Sequence, residues 1–152
     1  MRTKVLTFKI FINASQQTVF DYVSDWEKQS NWIMFTKVKL LSDPDQDTPV
    51  TLLATTKVGP IKLVDTMVIT SWQSPNRIVV EHTGRIILGK GVFQVHKVSD
   101  DSCEFEWQEI TPIPFGFLGR LGFKIFRPVI YIPFNMSLKR LRSNVESGVT
   151  SK

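Results

Sequence analysis

The sequence predicts an α+β fold in which a curved antiparallel sheet of about seven strands wraps around a long C-terminal helix, with two short helices after the first strand. Residues 3–12 alternate between apolar and polar side chains, as a half-buried strand does. Residues 35–111 consist of short strand-like stretches separated by turn-forming residues, and strands joined so closely pair antiparallel. After Pro114 the apolar spacing becomes helical up to Val145. We expect residues 1–152 to form a single domain.

Two short helices are predicted after the first strand. Ser15 precedes a stretch with helical apolar spacing and is suited to cap a helix over about residues 16–24. Asp25 is suited to cap a second helical piece that ends at about Asn31. Trp26 or Trp32 is expected to pack inward from this piece.

The C-terminal helix is the one predicted element that is long enough to cover the sheet. Pro128 and Pro133 lie inside it, so we expect either a kink or a later start. A curved sheet that grips a single helix leaves space between them. The apolar residues expected to face the sheet are Leu118, Leu121, Ile125, Ile130, Phe134, Leu138, Leu141 and Val145.

A family resemblance appears in FINASQQTVFDYVSDWEKQSNW, residues 11–32. The opening strand ends in the small residue Ala14, the pair Val19 and Phe20 lies in the first helix, and Asp25 and Trp32 mark the second. In these features, and in element order over the whole chain, the protein resembles START-like (SRPBCC) proteins of the polyketide cyclase/dehydrase type. The resemblance implies a helix-grip fold around a lipophilic cavity, in a family whose members transport lipids or sterols, bind quinones or cyclise polyketides. It implies a pocket without specifying a reaction.

The strand CEFEWQE, residues 103–109, predicts a carboxylate at the cavity. Its apolar face continues through Trp107 and ends in Glu109. Glu109 either lies among apolar side chains, where it has a raised pKa or needs a cationic partner, or lies at the strand end and reaches water. The residues predicted to face solvent from the same strand are Glu104, Glu106 and Gln108.

Two further polar residues are candidates for the cavity. Strand alternation places either Glu81 or His82 toward the core, and His82 is the better candidate for proton transfer near neutral pH. A structural role for this histidine is the alternative. Asp65 shares a face with apolar residues and either points inward or forms a buried salt bridge with Arg85 or Arg127. The sequence places no two proton-transfer residues together.

Aromatic side chains are expected around the cavity. Eleven Phe and four Trp against two Tyr fit an apolar interior, and aromatic residues that converge on a few polar groups are typical of small-molecule sites. The predicted ligand-binding residues are Trp32, Phe35, Trp72, His82, Phe93, Trp107, Glu109, Phe117, Phe126 and Tyr131.

Residues 113–127 combine an apolar tip with basic residues at helical spacing. This pattern predicts a peripheral membrane contact; the alternative is that its aromatic residues fold back and plug the end of the sheet. The longest apolar stretch, residues 128–136, is too short to span a bilayer. A single cysteine and the lack of a signal-peptide pattern predict a cytoplasmic protein. The net charge of +5 does not by itself predict a nucleic-acid partner, and we expect none.

The sequence predicts no metal ion and no cofactor. Its two histidines and one cysteine lie on separate predicted strands, and GRIILGKG at residues 84–91 lacks the hydroxyl residue of a phosphate loop. We therefore predict a monomer or homodimer that binds a lipid, isoprenoid, quinone or polyketide-like compound. One alternative is a cyclase or dehydratase in which Glu109 or His82 moves protons. Another is a regulatory or toxin-like protein that acts through its basic surface.

Overall fold

The computed structural model describes residues 3–42, 49–112 and 116–148, without the side chains of residues 116–120, 123 and 126. Within these ranges the elements follow the predicted order, so the predicted fold class is confirmed. The elements are β1 (Thr3–Ile12), α1 (Gln16–Val23), a 3₁₀-helix (Trp26–Asn31), β2 (Thr36–Leu40), β3 (Thr51–Val58), β4 (Ile61–Gln73), β5 (Arg77–His82), β6 (Gly89–Ser99), β7 (Ser102–Pro112) and α2 (Gly116–Glu146).

All seven of these strands form one antiparallel sheet in the order β1-β7-β6-β5-β4-β3-β2. Strand β1 pairs with β7, so the first and last strands lie side by side, and Phe8 faces Trp107 in that pair. The register of β4 against β5 shifts between Ile69 and Ser71. Such an irregularity bends a strand and increases its twist, which favours a curved sheet.

The two short helices begin close to their predicted positions. The Ser15 hydroxyl accepts a hydrogen bond from the Thr18 amide at 3.1 Å, which is the expected N-cap of α1. Asp25 is the N-cap residue of the 3₁₀-helix, as predicted, but its side chain forms no cap hydrogen bond and pairs with Lys28 at 3.4 Å. Both Trp26 and Trp32 are buried. A 3₁₀-helix has three residues per turn, so positions six apart share one face.

Helix α2 covers the sheet with its C-terminal half. Leu138, Leu141 and Val145 are buried, as predicted, but Leu121 and Ile125 are 46% and 66% exposed. The prediction of a buried face is therefore wrong for these two residues, and the side chain of Leu118 lies outside the described residues. A helix of 31 residues is about 46 Å long, whereas the ten residues of β1, against which α2 packs, span about 33 Å.

Helix α2 starts at Gly116 and continues through Pro128 and Pro133, so the alternative of a later start is wrong. No helix among the described residues is long and apolar enough to cross a membrane.

Two glycines give a matched test of the fold. We expect Gly89→Ala to lower the free energy of unfolding by about 3 kcal/mol or more, because φ at this position is +110° and the new Cβ would lie 1.9 Å from the Ile110 carbonyl oxygen. Gly122→Ala, in α2, meets nothing within 4 Å and should raise the same free energy by about 0.5–1 kcal/mol. Urea denaturation measures both values, and equal effects of the two substitutions would contradict the described β6–β7 geometry.

Candidate functional site

A cavity of about 460 Å³ lies between the concave face of the sheet, α2 and the segment around the 3₁₀-helix. This volume is within the range of small-molecule sites. Most of the lining side chains are apolar: Ile78 and Val80 come from β5, Met67 comes from β4, and Phe134 comes from α2. Among the described lining residues, the charged side chains form one cluster.

Asp65, His82 and Glu109 form this cluster, with His82 in the middle. The imidazole Nδ1 lies 2.5 Å from Asp65 Oδ2, and Nε2 lies 3.3 Å from Glu109 Oε2. The indole N–H of Trp107 donates to Glu109 Oε1 at 2.7 Å. Trp107 and Glu109 are two residues apart in β7 and therefore point to the same face. We call these four residues the His82 cluster.

Strand register explains why side chains of β5 and β7 meet although β6 lies between them. Gly91 of β6 pairs with Val80 on one side and with Glu109 on the other. A Cβ added to Gly91 would lie 3.0 Å from Val80 Cγ2 and 3.4 Å from Glu109 Oε1. The absence of a side chain at Gly91 leaves the space across which Glu109 reaches His82.

The electrostatic environment of His82 favours the charged imidazolium. Burial of the ring opposes protonation, but the hydrogen bonds and charges of Asp65 and Glu109 outweigh burial and raise the pKa of His82 to about 9. At neutral pH both ring nitrogens therefore carry protons and donate to carboxylate oxygens. The two alternatives left open by the sequence are resolved: His82 faces inward, and Glu81 lies on the outer face, where it approaches Lys90.

Asp65 points inward and takes His82 as its partner. Neither of the arginines considered from the sequence pairs with it: Arg85 is exposed, and the Arg127 guanidinium lies 4.7 Å from the centre of the Tyr131 ring. Asp65 Oδ1 is buried without a hydrogen-bond partner among the described atoms. Gly84 leaves room for this oxygen, since a Cβ there would lie 2.8 Å from it.

The predicted ligand-binding residues divide into three groups. The side chains of Phe117 and Phe126 lie outside the described residues. Three others, Trp32, Trp72 and Tyr131, are not part of the described cavity lining. The residues that line the cavity are Phe35, His82, Phe93, Trp107 and Glu109; their role in binding a ligand stays a prediction.

Trp32, Trp72 and Tyr131 lie away from the cavity for different reasons. Trp32 is fully buried behind the wall, with its ring 5.7 Å from that of Trp107. Trp72 follows the β4 irregularity and packs against Phe20 of α1 at 5.4 Å. Tyr131 packs edge-on against Phe8 of β1 at 5.0 Å.

Several lining residues were not singled out from the sequence. Ala54 and Thr56 line the cavity from β3, and Ser137 does so from α2. Alternation would have identified the β3 pair, because both residues share a face with buried Leu52. No sequence signal marks Ser137. Its hydroxyl accepts a hydrogen bond from the backbone amide of Met34 at 2.9 Å and donates one to the Pro133 carbonyl.

The predicted solvent exposure of Glu106 is wrong. Its carboxylate is buried on the outer sheet face, 3.2 Å from Lys9 Nζ and 3.5 Å from His96 Nε2. Glu106, His96 and Glu104 lie close together, and their side chains are of the types that bind metal ions. Lys9 already pairs with both glutamates there, and its hydrogen bond to Glu106 raises the pKa of the lysine.

The comparisons with known proteins agree with this architecture. Residues 3–146 match the family described as polyketide cyclase/dehydrase and lipid transport. The chain belongs to this family. No curated protein sequence matches the chain significantly.

Several solved structures share the fold of this family member. The Zhui aromatase/cyclase of Streptomyces sp. R1128 superposes with a TM-score of 0.80 at 10% identity, over 98% of this chain and 97% of that one. A START superfamily protein of Mycobacterium smegmatis gives 0.72 at 16% identity, over 96% and 99% of the two chains. A protein of Thermus thermophilus gives 0.78 at 11% identity, over 97% and 100%. At these identities the likeness shows the fold alone.

The described geometry predicts an unusual titration of His82. We expect its ring to titrate near pH 9 in the folded protein, measured by NMR of the imidazole nitrogens. Glu109→Gln removes one hydrogen-bonded charge and should lower this pKa. Glu81→Gln makes the same charge change one residue away on the outer face, so it should shift the pKa much less. Equal shifts in the two variants would contradict the cluster.

The same titration affects stability in a defined direction. The folded pKa of about 9 lies above the ordinary 6.5, so the contribution of His82 is complete below about pH 6.5 and is lost as the pH rises through 9. Thermal unfolding should show a falling midpoint between these values. In the His82→Gln variant, the part of this decrease in the unfolding midpoint that comes from His82 should disappear. If the variant shows the same dependence of the midpoint on pH as the wild type, the folded protein does not contain a charged imidazole at this position.

Proposed function

We propose that the protein binds a predominantly apolar small molecule, such as a lipid, isoprenoid, quinone or polyketide-like compound, in the cavity. The observation that carries the proposal is an apolar space of about 460 Å³ whose charged groups are gathered at one place, the His82 cluster. A ligand would bury its apolar body against the strands and α2 and direct its polar end to Glu109. Membership in a family described by polyketide cyclisation and lipid transport supports this use of the cavity.

Apolar burial supplies most of the expected affinity. Each 100 Å² of ligand surface removed from water contributes about 2.5 kcal/mol before the costs of association. A ligand of lipid size therefore needs few polar contacts, and binding is expected to tolerate variation in its apolar part.

Native mass spectrometry of protein purified without detergent tests the proposal. We expect a stoichiometric lipophilic adduct, or uptake of one molecule from a panel of lipids, quinones and polyphenols. Ala54→Phe places a ring in the cavity and should abolish uptake. Thr55→Phe makes a comparable addition on the other face of β3 and should leave uptake unchanged.

A check that both variants fold makes a negative result informative. Both must show wild-type far-ultraviolet circular dichroism and cooperative unfolding. Absence of uptake in the wild type, or equal uptake in both variants, would contradict binding in this cavity.

The His82 cluster also favours a second candidate function, cyclisation or dehydration of a polyketide-like chain. A proton donor and carboxylate acceptors lie together at the cavity wall, which the sequence did not indicate. However, the pKa of about 9 for His82 is above the range best suited to proton transfer at neutral pH, so binding remains the first proposal. In the same mass measurements, catalysis would appear as loss of water from a bound poly-β-keto thioester.

We further propose that α2 contacts an anionic membrane surface beside the cavity. Within the described part of the 113–127 segment, Leu121 and Ile125 are exposed, and Lys124 and Arg127 are exposed beside them. Val129 continues this apolar stripe and also lines the cavity. The basic residues of the helix would repel the same face of a second copy, whereas anionic headgroups would attract them.

Sedimentation with phosphatidylglycerol vesicles tests this contact. Binding should decrease with salt and be weaker with neutral phosphatidylcholine vesicles. Ile125→Asp should weaken it about fivefold or more, since one charge at such a surface is worth about 1 kcal/mol and apolar insertion is lost as well. Val98→Asp, at a residue that is 61% exposed on β6, is the matched control and should bind like the wild type. Equal losses in the two variants would contradict a contact through α2.

A further inference from the structure

The cavity has an uneven balance of charge. Among its described lining residues the charged groups are Asp65, His82 and Glu109, and no lysine or arginine is present. With both carboxylates ionised and the imidazole protonated, the wall carries a formal charge of −1. Asp65 Oδ1 lies within this buried wall without a hydrogen-bond partner, so no described donor compensates that part of its charge.

The hydrogen-bonding capacity that the cluster leaves for a ligand consists mainly of acceptors. Both ring N–H groups of His82 donate to carboxylates, and the Trp107 N–H donates to Glu109. Each Glu109 oxygen has two lone pairs and accepts one of these bonds, so both oxygens retain acceptor capacity. The Glu109 side chain is also the most accessible of the three charged groups, at 20% exposed, against 5% for Asp65 and 8% for His82.

The other polar groups of the lining are largely engaged within the protein. The hydroxyl of Ser137 donates to the Pro133 carbonyl at 2.7 Å, and that of Thr36 donates to the Met34 carbonyl at 3.1 Å. The Gln29 amide donates to the Val23 carbonyl at 2.9 Å. A ligand at the cluster therefore meets hydrogen-bond acceptors and negative charge.

We infer that the cavity selects neutral or cationic amphiphiles whose polar end donates a hydrogen bond to Glu109, and discriminates against carboxylates of the same shape. This inference rests on the proposed binding function and narrows its ligand class. An alcohol, phenol or protonated amine supplies a hydrogen-bond donor for the acceptor capacity that Glu109 retains. A carboxylate would place a second uncompensated negative charge beside Glu109 at low dielectric, which is costly.

Three probes with the same alkyl chain test the inference: dodecylamine, dodecanol and dodecanoate. Each competes with Nile red, a neutral fluorescent probe, at pH 7 and below its micelle-forming concentration. We expect the amine and the alcohol to bind at least about tenfold more tightly than the acid. The wild-type protein alone decides this point, because dodecanoate binding as tightly as the alcohol would overturn the inference.

Variants test whether Glu109 is the cause. Glu109→Gln keeps an acceptor but removes the charge, so the preference for amine over acid should fall about tenfold or more while the alcohol still binds. Glu81→Gln, on the outer face, should leave the preference unchanged. Asp65→Asn provides a second neutralisation, with an effect in the same direction, if Glu109→Gln unfolds. An unchanged preference in a folded neutralised variant would overturn the assignment to the cluster.

Failure of the inference and failure of the proposed function give different results. If Nile red binds and is displaced by dodecanoate in preference to the other two probes, the cavity binds ligands and the inferred selectivity is wrong. If Nile red binds and none of the three displaces it, the inferred ligand class is also wrong. If neither Nile red nor any probe binds, the proposed function itself is wrong.

Discussion

The cavity follows from a mismatch between the width of the sheet and the width of the helix that covers it. Seven strands spaced about 4.8 Å apart form a surface roughly 29 Å wide, whereas a helix with its side chains is about 10–12 Å across. Helix α2 packs mainly against β1, and the 3₁₀-helix packs near β2, at opposite edges of the sheet. Side chains such as Phe93 and Phe134 fill part of the interval, and a cavity of about 460 Å³ lies between them and the other lining residues.

A buried charge network is the second constraint on this space. Two carboxylates share a single imidazolium, although burial of each ion is unfavourable unless its charge is compensated. The network depends on Gly91, since any side chain there would enter the gap between β5 and β7 that Glu109 crosses. The shape and the charge of the cavity are therefore coupled. The strand pairing that builds the curved sheet around α2 also brings Asp65, His82 and Glu109 together.

Predictions from the sequence were most reliable where local periodicity is decisive and least reliable where an element extends past its neighbours. Alternation in β7 correctly placed Trp107 and Glu109 on the inner face. It also predicted exposure of Glu106, which is on the outer face but is covered by Lys9 from the adjacent strand. Helical spacing identified α2, yet could not show that Ile125 is exposed, because burial depends on how far the neighbouring elements extend along the helix.

The sequence by itself determined the order of elements, the antiparallel pairing and the apolar character of the space between sheet and helix, because these follow from side-chain period and from turn residues along a short length of chain. Only the tertiary structure decided that His82 rather than Glu81 enters the cavity and that Asp65 binds it in place of an arginine. Residues 65, 82 and 109 are distant in sequence, and contacts between strands depend on register and on the gap at Gly91. Periodicity along one strand assigns each residue to a face of the sheet, but it does not identify the residue that lies beside it on the neighbouring strand.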